Sequence, residues 1–272
     1  MIEAKAHAKI NLALVVGPRR PDGKHEVETV LQTIELHDDI RLAAGDELVL
    51  EGFSEDTLVR EALMAVARAA GVAPVWKVRI EKRIPVAAGV GGGSSDAATA
   101  LRLANELLAS RLSPETLHVI AAACGSDVPF FLRGGAQLAT GSGTDLSVLD
   151  LPTEYAVLLL QPHDRAKEST AAVYRDFDAR GGPTGYAERA AALRRALERV
   201  RTSHDLSALP PNDLMTSPLV QALTELGAFR ADVSGAGPAV YGLFDTRDAA
   251  EAAAEALRDE GRAWVTQPIA TA

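Results

Sequence analysis

The sequence contains one cysteine, no basic run longer than two residues and no long apolar run. Because Cys124 stands alone, intrachain disulfides and cysteine-based metal cages are excluded, and its alanine-rich surroundings predict a small buried side chain. The six histidines lack the His-x-x-x-His spacing of a metal site. The net charge of -9 argues against the broad basic face of a nucleic-acid-binding protein, so no nucleic-acid partner is expected.

Membrane and export signals are also missing from the sequence. No apolar run approaches the roughly 20 residues that cross a bilayer, and residues 1–5 lack the basic-then-apolar pattern of a signal peptide. We therefore expect a cytoplasmic protein with no membrane partner. Its 272 residues are 47% hydrophobic, which is enough for a packed core in one large domain or two smaller ones.

Alternating residues at the N-terminus predict a half-buried strand from Ile2 to Leu14. The even-numbered apolar residues form one face, and Lys9 and Asn11 are neighbours on the polar face. Further along, the pattern predicts a loop over residues 17–25, one or two strands over residues 27–42 and a helix over residues 56–71. A second helix has Ser113 as its N-cap, Pro114 in its first turn and Gly125 after its end.

A strand predicted over residues 76–81 leads through Pro85 into a glycine-rich loop, Gly89 to Asp96, which opens an amphipathic helix at the serines. Glycines allow close approach to a ligand, and the helix N-terminus directs N–H groups and partial positive charge toward an anion. Ser94 and Ser95 add hydroxyls that can donate to phosphate or bind a metal. This segment therefore predicts a phosphate site that needs no cation.

Two better-known phosphate loops do not fit this segment. A Walker loop ends in Gly-Lys-Ser/Thr, whereas this one has Gly93-Ser94-Ser95. A dinucleotide-binding loop would have a third Gly or Ala in place of Ser94 and an acidic residue about 20 positions later. A glycine-rich turn without a ligand is the remaining alternative, which the flanking strand, the helix and the serine pair make less favoured.

Phosphoryl transfer needs a positioned hydroxyl, neutralised phosphate charge and usually a carboxylate that receives a proton. Asp127 and Lys9 are candidates for these roles. Local sequence alone favours Asp127 as the N-cap of a short helix starting at Val128, and Lys9 as a solvated lysine. His25 is either a ligand contact or a solvated loop residue, and the turn containing Gly235 contacts a ligand or simply joins two strands.

A polar break near residues 151–154 predicts a boundary between two domains, 1–152 and 153–272. After it, the pattern runs through a strand, helices up to about Gly227, a strand near Val233, a strand over 240–244, a helix over 248–258 and a last strand. This order favours an α+β arrangement with helices on one face of a sheet.

Three motifs in this order resemble those of the GHMP kinases: Ala8-Lys9-Ile10-Asn11-Leu12, the stretch from Pro85 to Ala98, and Ser234-Gly235-Ala236-Gly237-Pro238. The resemblance extends from about residue 4 to 245. It implies an α+β, two-domain GHMP kinase fold: an N-terminal ATP-binding domain, a C-terminal ferredoxin-like α/β sandwich, and an active site in the cleft between them. The ATP-binding residues that it implies are Pro85, Ala87, Ala88, Gly89, Val90, Gly91, Gly92, Gly93, Ser94 and Ser95.

Two further stretches, Arg20 to His25 and Gly125 to Phe131, are most similar to the GHMP kinases that act on a cytidine-diphosphate-linked methylerythritol. This similarity implies ATP-dependent phosphorylation of the substrate's 2-hydroxyl in non-mevalonate isoprenoid synthesis, with Mg²⁺ accompanying ATP. It also implies that Asp127 is the catalytic base and that Lys9 orients it. A homoserine or mevalonate kinase, or a catalytically silent nucleotide-binding regulator, is the alternative.

The same resemblance implies that Asn11, Lys24, His25, Tyr174 and Gly235 bind the small-molecule substrate together with Asp127. These kinases usually clamp the cytosine between two aromatic rings, and Tyr174 resembles one of them. Lys24 stands where the other ring is usual. One side of the stack is therefore expected to be lost or replaced by a cation over the base. The expected assembly is a monomer or a weak homodimer.

Overall fold

The computed structural model describes residues 1–53, 57–163 and 169–270. Within these residues the strands are β1 (Ile2–Arg19), β2 (His25–Ala44), β3 (Val49–Glu51), β4 (Trp76–Glu81), β5 (Ala136–Thr140), β6 (Asp145–Leu149), β7 (Ala156–Pro162), β8 (Arg230–Val233), β9 (Val240–Phe244) and β10 (Gly261–Thr266). The α-helices are α1 (Thr57–Ala70), α2 (Gly92–Leu107), α3 (Pro114–Cys124), α4 (Val128–Phe131), α5 (Thr170–Ala179), α6 (Tyr186–Leu197), α7 (Pro218–Glu225) and α8 (Arg247–Ala256). A 3-10 helix covers Ser203–Ala208.

The first sheet has six strands and is organised around the long strand β2. β2 pairs with β1 along most of its length, with β4 near its end and with β5 near its start. The predicted loop over residues 17–25 is shorter than expected, because β1 continues to Arg19 and β2 already begins at His25. A single strand thus replaces the one or two strands predicted over residues 27–42.

Two irregularities in the β1–β2 register bracket the residues of the first motif. One lies between His7 and Lys9, and apolar side chains on either side of it belong to different cores. Ala6 packs with the helices of the first sheet, whereas Ala8 and Ile10 pack against the second sheet. The predicted single apolar face is therefore wrong at this point, because a bulge changes the direction of the following side chains.

The first sheet is covered on one side by α1, α2 and α3. Small side chains along α2, including Ala97, Ala100 and Ala104, are fully buried and allow close packing of the helix. The predicted helix over residues 56–71 corresponds to α1, but Asp56 lies outside the described residues. The cap predicted for α3 is confirmed by a 3.2 Å hydrogen bond from the Thr116 amide to Ser113. Cys124, at the end of this helix, is only half-buried.

The second sheet is antiparallel, with the order β10-β7-β9-β8. Its strands and helices follow the ferredoxin-like order β-α-β-β-α-β, in which the first and third strands form the middle of the sheet. The α+β prediction for this half of the chain is therefore confirmed. Nearly every side chain of β7 is buried, which agrees with its uninterrupted apolar sequence.

One core cluster joins the two sheets. Ile10 and Leu12 of β1 lie in it together with Leu159 of β7 and Tyr241 of β9. The hydroxyl of Tyr241 donates to the Asn11 carbonyl at 2.9 Å, and buried Arg230 donates to the Leu12 carbonyl at 2.5 Å. The backbone that carries Lys9 and Asn11 is thus fixed from the second sheet. In the part of the chain that is described, no helix is long and apolar enough to cross a membrane.

His7 gives the fold a pH dependence that can be measured. Burial lowers the pKa of His7, and neighbouring His37 lowers it further. At pH values below about 6.5, the ordinary pKa of histidine, the unfolded chain therefore binds more protons than the folded chain does. Folding stability must decrease as the pH falls through this range. We expect a lower free energy of unfolding in urea at pH 5.5 than at pH 7.5, and a smaller difference for His7→Gln. Exposed His163 supplies the control, and an equal change for His163→Gln would contradict this assignment.

Candidate active site

A cavity of about 900 Å³ lies where β1, the glycine loop, α4 and α5 meet. Nearly all of the residues implied by the motifs line it: Lys9, Asn11, Lys24, His25, Pro85, Ala87, Ala88, Gly89, Val90, Gly91, Gly92, Gly93, Ser94, Asp127, Tyr174 and Gly235. Ser95 differs from the rest because it is 1% exposed and does not line the cavity. Of the two serines, Ser94 is therefore the one whose side chain faces the cavity.

Lys9 and Asp127 both line the cavity and form an ion pair, with 3.6 Å between Nζ and Oδ2. The Lys9 ammonium also donates to the Asn11 side chain at 2.6 Å and to the Gly89 carbonyl at 2.9 Å. Lys9 is 3% exposed, so the solvated alternative for this residue is wrong. It is buried because the glycine loop packs over it: the Lys9 amide donates to the Val90 carbonyl at 3.0 Å, and its ammonium donates to the Gly89 carbonyl.

Asp127 immediately precedes α4, as the N-cap hypothesis required. Within the described residues, however, its side chain makes no capping hydrogen bond to that helix. Its carboxylate faces the cavity instead and is 42% exposed. The residue thus occupies the backbone position of a cap, while its oxygens stay available to a ligand and to Lys9.

The glycine loop reaches α2 through three residues with positive φ: Ala87 at 59°, Gly89 at 85° and Gly91 at 75°. Gly91 is the N-cap, so the helix begins at Gly92, two residues before the predicted start at the serines. The first N–H groups of a helix have no partner within it. The amides of Gly92, Gly93 and Ser94 therefore lie where an anion in the cavity can accept their hydrogen bonds.

The turn that contains Gly235 supports the glycine loop. It joins β8 to β9, and the Ser234 hydroxyl donates to the Gly89 carbonyl at 3.0 Å. The Ala239 amide donates to the Ala88 carbonyl at 3.1 Å. Gly235 has a φ of 57°, and a Cβ built there would lie 3.1 Å from the Gly89 carbonyl and 3.3 Å from Lys9 Nζ. The turn is therefore both a hairpin connection and a backbone support for the glycine loop.

Sequence reasoning missed a buried charge cluster behind the loop. Lys82 Nζ lies 2.5 Å from Asp38 and 2.7 Å from Asp96, and both carboxylates are fully buried. Burial lowers the pKa of Lys82, but the carboxylates of Asp96 and Asp38 outweigh it and raise the pKa above its ordinary value. Lys82 is thus an ammonium that ties β2 to α2. Asp96 lies four residues before buried Ala100, and residues i and i+4 of a helix share one face. Helical periodicity could therefore have predicted that Asp96 faces inward.

His25 is the first residue of β2 and is 8% exposed, so it is not a solvated loop residue. Its Nε2 lies 2.9 Å from the Asp178 carboxylate, another group that the sequence did not reveal. Its ring packs on Tyr174 with 4.8 Å between the centroids. Burial raises the pKa of Tyr174 to about 12, and the Asp127 carboxylate adds to this rise. The Tyr174 phenol therefore stays protonated at neutral pH and can donate a hydrogen bond.

Comparison with known proteins agrees with this arrangement. Residues 57–135 match the model of the GHMP kinases N terminal domain, and residues 186–263 match that of the GHMP kinases C terminal. The chain is 39% identical to the 4-diphosphocytidyl-2-C-methyl-D-erythritol kinase of Pelotomaculum thermopropionicum, over 98% of each protein. The corresponding enzyme of Prosthecochloris aestuarii is 35% identical over 97% of this chain and 96% of its own.

A solved structure is similar as well. The crystal structure of a 4-(cytidine 5'-diphospho)-2C-methyl-D-erythritol kinase superposes with a TM-score of 0.79 at 32% identity, covering 98% of this chain and 99% of that one. The similarity includes both sheets and the segments around the cavity, so the two-domain arrangement implied by the sequence motifs is confirmed.

Proposed function

The chain belongs to the 4-diphosphocytidyl-2-C-methyl-D-erythritol kinase family of the GHMP kinases, and we propose that it transfers the γ-phosphoryl group of ATP to the 2-hydroxyl of 4-diphosphocytidyl-2-C-methyl-D-erythritol. The observation that carries this proposal is the position of the Lys9–Asp127 pair beside the glycine loop in one cavity. The reaction is a step of isoprenoid precursor synthesis. We place the boundary of the two domains between residues 152 and 153.

Asp127 acts as the general base in this proposal. The acceptor hydroxyl gives its proton to the carboxylate as its oxygen bonds to the γ-phosphorus, and the bond from that phosphorus to the ADP oxygen breaks. Lys9 is held by Asn11 and Gly89, so its ammonium is in place to donate to the same hydroxyl oxygen. Such fixed positioning is the main contribution that a protein makes to phosphoryl transfer.

The ATP phosphates are held by the amides at the start of α2, with the Ser94 hydroxyl beside them. Mg²⁺ prefers oxygen ligands and commonly binds through substrate phosphates and one or two protein groups. Among the described residues, no group of three or more His, Cys, Asp or Glu is arranged to hold a metal. The Ser94 hydroxyl could be one ligand of a cation that is bound chiefly by the phosphates. Such a cation would offset the phosphate charge during transfer.

The proposed function predicts with which acceptor the chain converts ATP to ADP. With ATP and Mg²⁺, the purified chain should release ADP when given 4-diphosphocytidyl-2-C-methyl-D-erythritol, but not when given mevalonate or homoserine. A coupled assay of ADP with each acceptor measures this difference. ADP release with mevalonate or homoserine, but not with 4-diphosphocytidyl-2-C-methyl-D-erythritol, would contradict the acceptor assignment. ATP binding without release on any acceptor would instead indicate a catalytically silent regulator.

A further inference from the structure

Lys24 lies in the turn between β1 and β2, and it lines the cavity together with Ser126. Its Nζ donates to the Ser126 hydroxyl at 3.1 Å. Ser126 directly precedes Asp127, whose carboxylate pairs with Lys9. The hydrogen bond therefore holds a second ammonium on the side of the cavity where phosphoryl transfer is proposed.

The Tyr174 ring, on which the cytosine is expected to stack, is already covered on one face. His25 packs on one face of Tyr174 at 4.8 Å, and a base inserted between two rings needs about 7 Å between them. A base can therefore stack on Tyr174 only from its other face.

The charges of the cavity indicate what Lys24 binds. Two arginines, Arg19 and Arg175, line the cavity together with Lys24, although the whole chain carries a net charge of -9. A local group of cations in an acidic protein attracts an anionic ligand and orients it. The acceptor of the proposed function carries a diphosphate between its cytidine and its reacting alcohol, and phosphate oxygens form strong charge-assisted hydrogen bonds with an ammonium.

We propose that the Lys24 ammonium, positioned by Ser126, binds the diphosphate of the nucleoside-diphosphate-linked acceptor. This inference rests on the proposed function and names the group that selects for the charged linker of the substrate. The residue distinguishes a nucleoside diphosphate from a bare nucleoside, because only the former has an anionic group at that place. Stacking of the base is then left to Tyr174.

Binding of CDP and of cytidine tests this assignment without requiring turnover. We expect Lys24→Met to weaken CDP binding about tenfold, while cytidine binding stays the same. Lys24→Arg should retain most of the CDP affinity. Exposed Lys77 lies on β4 outside the cavity lining, so Lys77→Met is the matched control for loss of one positive charge. Calorimetric titration measures each affinity.

Ser126 is a positioning residue, and a double-mutant cycle separates its role from that of Lys24. Ser126→Ala should weaken CDP binding less than Lys24→Met does, and the double variant should bind CDP no worse than Lys24→Met alone. Unchanged CDP affinity in Lys24→Met would overturn the proposal, as would an equal loss for CDP and cytidine, which would place the cation over the base. Turnover of the full acceptor by the wild-type chain is measured separately. Absence of that turnover would contradict the proposed function, whereas the CDP affinities test the role of Lys24.

Discussion

Asp127→Asn should reduce turnover by a factor of about one hundred or more while ATP binding persists, because the amide cannot accept the proton of the acceptor hydroxyl. The change retains the size of the side chain. Lys9 keeps its hydrogen bonds to Asn11 and Gly89, so the arrangement of the site should survive. Steady-state ADP release gives the turnover, and a fluorescent ATP analogue reports nucleotide binding.

Asp178 provides a control in the same cavity. Its side chain is 38% exposed, close to the 42% of Asp127, and it pairs with His25 rather than with Lys9. Asp178→Asn removes the same charge and should raise the KM of the acceptor, with a much smaller effect on kcat than Asp127→Asn has. Turnover of Asp127→Asn within about threefold of wild type would remove Asp127 from the proton transfer.

Gly89→Ala should displace the glycine loop, lower thermal stability and weaken ATP binding at least tenfold. A Cβ at this position would lie 2.2 Å from the Ser234 carbonyl and 3.0 Å from the Gly237 carbonyl. Both contacts are to backbone, which cannot move aside as a flexible side chain does. The displaced Gly89 carbonyl is also an acceptor for Lys9 and Ser234, so the Lys9–Asp127 pair would lose part of its support.

Gly71→Ala is the matched control for this change. Gly71 also has positive φ, at 67°, but a Cβ there meets nothing within 4 Å. Both variants include the cost of a left-handed alanine, roughly 1–2 kcal/mol, and only Gly89→Ala adds the clash. Urea unfolding should therefore show Gly89→Ala less stable than Gly71→Ala by about 1–3 kcal/mol. Equal stability and equal ATP affinity of the two variants would show that the loop can move without consequence.

The buried cluster of Lys82, Asp38 and Asp96 anchors the glycine loop. Asp38 also accepts hydrogen bonds from the backbone amides of Arg83 and Ile84, at 2.5 and 2.8 Å. The segment entering the loop is thus bonded to β2, and the helix leaving it is bonded to Lys82. Buried charges persist when each is paired and hydrogen-bonded, so the cluster fixes both ends of the loop.

The sequence by itself determined the local chemistry of the site. Alternation placed Lys9 beside Asn11, and the glycine-serine segment between a strand and a helix indicated an anion site at a helix N-terminus. Both features depend on residues that are near each other in the chain. Periodicity and glycine geometry express such short-range constraints directly, which is why these predictions did not need the fold.

Tertiary structure alone decided how the distant residues meet. It buried Lys9 and brought it to Asp127, turned Ser95 away from the cavity, and packed His25 on Tyr174. It also directed Lys24 to Ser126. These outcomes depend on how segments far apart in the chain pack against one another. Long-range packing sets these outcomes, so the local pattern could indicate the anion site at the glycine loop but could not determine which distant side chains meet there.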